Sequence, residues 1–144
     1  PLYRISVIFS AYTFPYYELT GRGLKIQASD NIEMLRAMGR DPLIIKSTRV
    51  DAVYGVVNLM DTAYDAIPAI KSPVLFLYGE KDQVIPPPAM RDALPRFASN
   101  VYCIRYPEGY HMLLRDLNGQ EVLGNINHWI SKKAKNAHIK DCFS

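Results

Sequence analysis

"SPVLFLYGEKDQVIP", residues 72–86, sets an apolar run from Val74 to Tyr78 between a proline and a glycine. A short continuous apolar run bounded by turn formers reads as a strand buried on both faces, as in a parallel sheet. Pro86-Pro87-Pro88 follows, and proline suits a first helical turn, so a helix carrying Met90, Leu94 and Phe97 is predicted there. Val101–Tyr106 reads as a second strand, closed by Pro107 and Gly109. A last helix is predicted from Asn118 to Lys135, with Val122, Ile126, Trp129, Ile130 and Lys133 along one face. Strand, helix, strand, helix with short connections is the pattern of a parallel sheet, so the fold class is α/β. Two strands alone cannot be covered on both faces and leave their edges open. The chain therefore reads as the last part of a larger α/β domain, and the lack of an initiator Met before Pro1 fits that expectation.

The residues upstream read differently. The first 20 are rich in aromatics, have no clean period, and are interrupted by Pro15. Asp30, with Glu33 three residues on, resembles a capping box and predicts a helix ending near Met38 and Gly39. Thr48 and Asp51 repeat that pattern. Val50, Val53, Tyr54, Val57, Met60 and Tyr64 then fall on one face of an amphipathic helix over residues 49–65, closed by Pro68. Such a stripe is a packing face or a lid over a pocket; the sequence leaves both open. The expected organisation is a mostly helical cap over residues 1–70, the C-terminal part of an α/β core over 71–136, and a tail over 137–144.

Composition excludes several classes. The 144 residues are 49% hydrophobic and 22% charged, ordinary for a globular protein. The net charge of +3, with Lys132, Lys133 and Lys135 clustered, is too small a basic feature for nucleic acid and reads as a helix end complementing its dipole. Cys103 and Cys142 make neither a disulfide framework nor a metal site and read as two free thiols of a reducing compartment. No apolar stretch is long enough to span a membrane and no signal-peptide pattern is visible. The expected location is the cytoplasm, with association at a membrane surface left open.

The chemistry-bearing residues follow the two strands. Asp82 lies four positions past Tyr78, and His111, in "YPEGYHMLLRD" (106–116), lies five past Tyr106. Functional groups of an α/β sheet sit beyond the carboxyl ends of its strands, and adjacent parallel strands bring such loops together. An aspartate there accepts from imidazole Nδ1–H, fixes the tautomer and stabilises the imidazolium. The plainer alternatives are a packed core histidine and a turn aspartate. Asp116 is a rival acid, read instead as a cap on the last helix. His128 and His138 have no role, Glu80 and Glu108 read as solvated, and Met112, Leu113, Val84 and Ile85 suit either an apolar pocket or the sheet's own packing.

Residues 73–116 resemble the end of an α/β-hydrolase catalytic domain, whose acid precedes its histidine in the chain. "SPVLFLYGEKDQVIP" and "YPEGYHMLLRD" are similar to the acid and histidine loops of the monoacylglycerol lipase and bacterial lysophospholipase branch. "LTGRGLKIQASDN" and "GRDPLIIKSTRVDAVYGVVNLMDTA" are similar to its cap, so the likeness covers about residues 1–136. The resemblance implies Asp82 as triad acid, His111 as triad base, a lipid-like ester as substrate, and no metal or organic cofactor. It implies a serine in a G-x-S-x-G elbow upstream of the cap, and none of the serines at 6, 10, 29, 47, 72, 99, 131 and 144 has that setting. The chain alone is therefore expected to be inactive. Three other readings stay open: a peptidase or haloperoxidase branch; a non-catalytic module that binds a ligand or partner; and a fragment completed by self-association or by pairing with a missing N-terminal half.

Overall fold

The computed structural model describes residues 2–97 and 101–131. In chain order these form helix α1 (Leu2–Thr13), strand β1 (Glu18–Thr20), helix α2 (Ile32–Arg40), strand β2 (Ser47–Arg49), helix α3 (Val50–Ala66), strand β3 (Val74–Gly79), helix α4 (Pro87–Ala93), strand β4 (Val101–Tyr106) and helix α5 (Gly119–Ser131). Single 3₁₀ turns follow α3 (Ile67–Ala69) and α4 (Leu94–Arg96), and another precedes α5 (Leu113–Arg115).

The chain forms two compact units. The first joins Pro1–Lys25 with Asp41–Ala66; the second joins Ile26–Arg40 with the chain from Ile67 onward. The division does not follow the expected boundary at residue 70, because the segment carrying α2 belongs with the later strands.

In the first unit, α1 occupies residues that have no clean apolar period. Its helical state is carried by packing on α3 rather than by a regular stripe. Tyr12 and Tyr54 meet with ring centroids 6.3 Å apart, and Arg4 pairs with Asp61. Pro15 lies beyond the helix end. The antiparallel pair β1–β2, with Leu19 opposite Thr48, has only three residues a side, too few for a visible alternation. Thr48 therefore belongs to a strand and not to a capping box. Asp51 accepts from Ala52 N at 2.7 Å and pairs with the Arg49 guanidinium, which holds its carboxyl below the usual range. The Arg49 guanidinium also lies 4.4 Å from the centre of the Tyr16 ring. Of the predicted α3 stripe only Val50 is buried, and Met60 is 58% exposed. An apolar cavity of about 430 Å³ opens beside the stripe's start, lined by Val7, Phe14, Tyr17, Leu19, Val50 and Val53.

In the second unit, β3 and β4 run parallel, in register from Val74 opposite Val101 to Gly79 opposite Tyr106. Both strands, and the start of α4 within the proline triplet, stand where the sequence puts them. Leu94, Val101 and Cys103 form the core, with Val74, Phe76 and Phe97 against them. Val74 to Leu77 are half-buried, not buried on both faces, since among the described residues β3 has a strand neighbour on one side only. Helix α5 meets β4 through Asn125 Nδ2, which donates to the Tyr106 hydroxyl at 3.0 Å, and its Val122 is 2% exposed. Ile130, expected on the buried face, is 60% exposed. Cys103 is disulfide-bonded, which corrects the reading of two free thiols and removes their support for a reducing compartment. Lys132, Lys133, Lys135, His138 and Cys142, with the predicted helix end and tail, lie outside the described residues. No described helix is long and apolar enough to cross a membrane.

Candidate active site

Strands β3 and β4 end side by side, and their following loops are joined by backbone. Glu80 N donates to Tyr106 O at 3.0 Å and Lys81 N to Gly109 O at 2.9 Å. Two glycines allow this approach. A Cβ on Gly79 would lie 2.5 Å from the carbonyl carbon and oxygen of Gly109, inside any van der Waals limit. Gly109 in turn rests against Tyr106 and Leu113, where a Cβ would meet side-chain atoms at 2.8 and 2.5 Å.

This brings Asp82 and His111 together across 29 positions: Nδ1 of the imidazole lies 3.0 Å from Oδ2 of the carboxylate. A carboxylate only accepts, so the bond places a proton on Nδ1 and, in the neutral ring, leaves Nε2 with its lone pair. The Asp82 side chain is 9% exposed and the His111 side chain 37%, so the carboxylate is sheltered while the imidazole is open. The second carboxylate oxygen takes Val84 N at 2.8 Å and Ile85 N at 2.9 Å. Asp82 is thus also the turn residue of the plainer reading; one oxygen shapes the loop and the other faces the histidine.

Neighbouring charges are paired. Lys81 pairs with Glu108, which raises the lysine's proton affinity, and its ammonium lies 5.8 Å from the centre of the Tyr110 ring. Glu80 pairs with Arg105 at 2.9 Å. Both glutamates, read as merely solvated, therefore have partners. Burial pushes the Tyr78 hydroxyl above its ordinary range, helped by the charges of Asp82 and Glu80.

Asp116 is neither a rival acid for His111 nor a side-chain cap for α5. It is 8% exposed and accepts from Ser29 Oγ at 2.6 Å and from Tyr110 N at 2.8 Å. Ser29 is fully buried. Asp30, predicted to cap α2, accepts instead from Leu117 N at 2.8 Å, and Asn31 caps the helix through its bond from Met34 N at 3.1 Å. Neither Ser29 nor Asn31 stands in a motif that marks it for these bonds. The signal available was an uninterrupted polar run, Ser29-Asp30-Asn31, longer than one helix cap needs.

His128 is exposed on α5. Val84 is 45% exposed, and Met112, Leu113 and Ile85 are intermediate. Among the described residues no group of three or more His, Cys, Asp or Glu side chains is placed to hold a metal ion. Among the described residues no hydroxyl bonds to the His111 ring, which meets the Asp82 carboxylate.

Several known proteins are similar to this chain. The monoacylglycerol lipase of Mycolicibacterium smegmatis is 26% identical over 106 residues, covering 65% of this chain and 38% of that protein. The crystal structure of Paleococcus ferrophilus monoacylglycerol lipase superposes with a TM-score of 0.77 at 22% identity, over 91% of this chain and 52% of that one. A soluble variant of Saccharomyces cerevisiae monoglyceride lipase, crystallised with a substrate analog, gives 0.72 at 15% identity, over 91% and 49%. The chain thus spans about half or less of each relative's length, and the two structures identify its fold as part of an α/β hydrolase. The family described as Serine aminopeptidase, S33 matches residues 1–118. The chain belongs to this S33 family of α/β hydrolases.

Proposed function

We propose that this chain is the cap and C-terminal part of a serine ester hydrolase acting on lipid-like esters such as monoacylglycerols or lysophospholipids. The observation that carries the reading is the 3.0 Å contact between His111 Nδ1 and Asp82 beyond the ends of two parallel strands. Asp82 orients His111 and stabilises the imidazolium. His111 Nε2 takes the proton of a serine hydroxyl as it attacks the ester carbonyl, then returns that proton to the leaving alcohol. The nucleophile and the oxyanion donors lie in sequence beyond these 144 residues. The names of the relatives support a lipid substrate. The apolar cavity beside α3 suits an acyl chain, with no metal or organic cofactor required.

A membrane surface is the proposed source of that substrate. Leu43 and Ile45 are 88% and 81% exposed on the loop between Asp41 and Lys46. The loop is held out by Leu43 N donating to Asp41 Oδ1 at 2.9 Å, and Lys46 Nζ donates to Asp41 O at its base. Aliphatic side chains flanked by a cation suit the boundary of an anionic bilayer.

Assay of this chain with p-nitrophenyl butyrate tests the division of labour. The expected result is no turnover above buffer; turnover abolished by His111→Ala overturns the claim that the nucleophile lies elsewhere. The family's description favours a second reading, a peptidase. Hydrolysis of aminoacyl p-nitroanilides in preference to monoacylglycerol by the longer protein selects it.

A further inference from the structure

The catalytic pair explains how the imidazole is oriented from the Asp82 side. It leaves open what fixes the backbone that carries the imidazole. Residues 110–117 contain one 3₁₀ turn and otherwise no regular structure, so their position depends on bonds made elsewhere. Four consecutive residues upstream of α2 supply them. Ala28 O accepts from Met112 N at 2.9 Å. Ser29 Oγ donates to Asp116 Oδ1 at 2.6 Å. Asp30 Oδ1 accepts from Leu117 N at 2.8 Å. Asn31 Nδ2 donates to Arg115 O at 3.2 Å. The residues on both sides of His111 are caught in this ladder, Met112 through Ala28 O and Tyr110 through its N–H, which donates to Asp116 Oδ2 at 2.8 Å.

We propose that Ser29 and Asp116 are positioning residues for His111: the buried Ser29–Asp116 clasp holds the Tyr110 amide and thereby sets where the imidazole meets Asp82. The proposal rests on the reading of His111 as general base, and it assigns work to a segment that by its place in the sequence belongs with the cap. Burial makes the clasp strong. Ser29 is fully buried and Asp116 8% exposed, so a carboxylate hydrogen bond there is not exchanged for water, and losing one partner strands the other. Ser29 Oγ also accepts from Asn31 N at 3.2 Å, which couples the clasp to the start of α2.

The test uses this chain and needs no catalysis. Nitrogen-15 NMR of the His111 ring reports the proton on Nδ1 that the Asp82 contact requires. In the unaltered chain one Nδ1–H resonance is expected. In Ser29→Ala and Asp116→Ala that resonance is lost or the ring becomes a tautomer mixture, with far-UV circular dichroism unchanged. Asp116→Asn should restore it: the amide oxygen still accepts from Tyr110 N, and the amide nitrogen can donate to a hydroxyl that accepts. If Asp116→Ala fails to fold, Ser29→Ala still decides, since it removes one hydroxyl. A folded Ser29→Ala chain whose His111 ring signals are unchanged, with only a lower melting temperature, overturns the proposal. Absence of the Nδ1–H resonance in the unaltered chain would instead defeat the Asp82–His111 pairing on which it rests. Failure of the hydrolase reading alone leaves the ring measurement intact.

Discussion

The loops at 106–117 and 41–46 differ in exposure and in the bonds that shape them. The histidine loop is tied to residues far away in the chain, through backbone bonds to Lys81 and Ala28 and through a buried carboxylate. The 41–46 loop carries bonds within itself, from Leu43 N and Lys46 Nζ to Asp41, and the side chains of Leu43 and Ile45 are exposed. The difference follows from what each is proposed to do. General-base chemistry needs an imidazole fixed to within a fraction of an ångström. Partition into a bilayer boundary needs only apolar area on a local turn.

The comparison breaks most readily at Asp116. Asp116→Ala leaves the Ser29 hydroxyl and the Tyr110 amide without their shared partner, and urea denaturation should show a loss of about 3 kcal/mol. A loss under 1 kcal/mol would mean that water enters and the clasp is not sealed. Next in size is Gly79→Ala, whose methyl group meets the Gly109 carbonyl. Forcing the two loops apart should cost about 2 kcal/mol and weaken the His111–Asp82 contact seen in the ring spectrum. A neutral Gly79→Ala would show that the loops separate freely.

The first of these effects could not be read from sequence, for a definite reason. Asp116 stands just ahead of a helix, where a cap is the local reading, while its partner Ser29 is 87 positions away. Asp30 misled in the same way: its spacing to Glu33 suits a capping box, but its carboxylate is taken by Leu117. What was legible had a local cause. Val74–Tyr78 is an apolar run between proline and glycine, and Pro87 begins a helix because proline fits there. Asp82 and His111 were legible because parallel strands set the loops after their ends side by side. Helix α1 was not, since it lacks a period and is held by α3; nor were β1 and β2, three residues each.

On the other side of the comparison, Leu43→Ser with Ile45→Ser should change stability by less than about 0.5 kcal/mol, because both side chains are exposed. Co-sedimentation with vesicles of anionic phospholipid should fall severalfold. Equal sedimentation of the unaltered and double-substituted chains would remove the membrane from the account. The smallest effect concerns Tyr78 and Tyr106, both shifted upward by burial. Above the ordinary tyrosine value of 10.0 the unfolded chain ionises these phenols first, so the folded chain binds more protons and stability falls as pH rises. Ultraviolet titration should find two phenols ionising after the others; a single transition at the ordinary value would show that both are reached by solvent.

His111, oriented by Asp82, is proposed as the general base for a serine beyond these residues. Labelling the full-length gene product with a fluorophosphonate probe tests it most directly. The expected result is a labelled serine outside residues 1–144 and loss of labelling in His111→Ala. A label on a serine within residues 1–144, or labelling undiminished by His111→Ala, would contradict it.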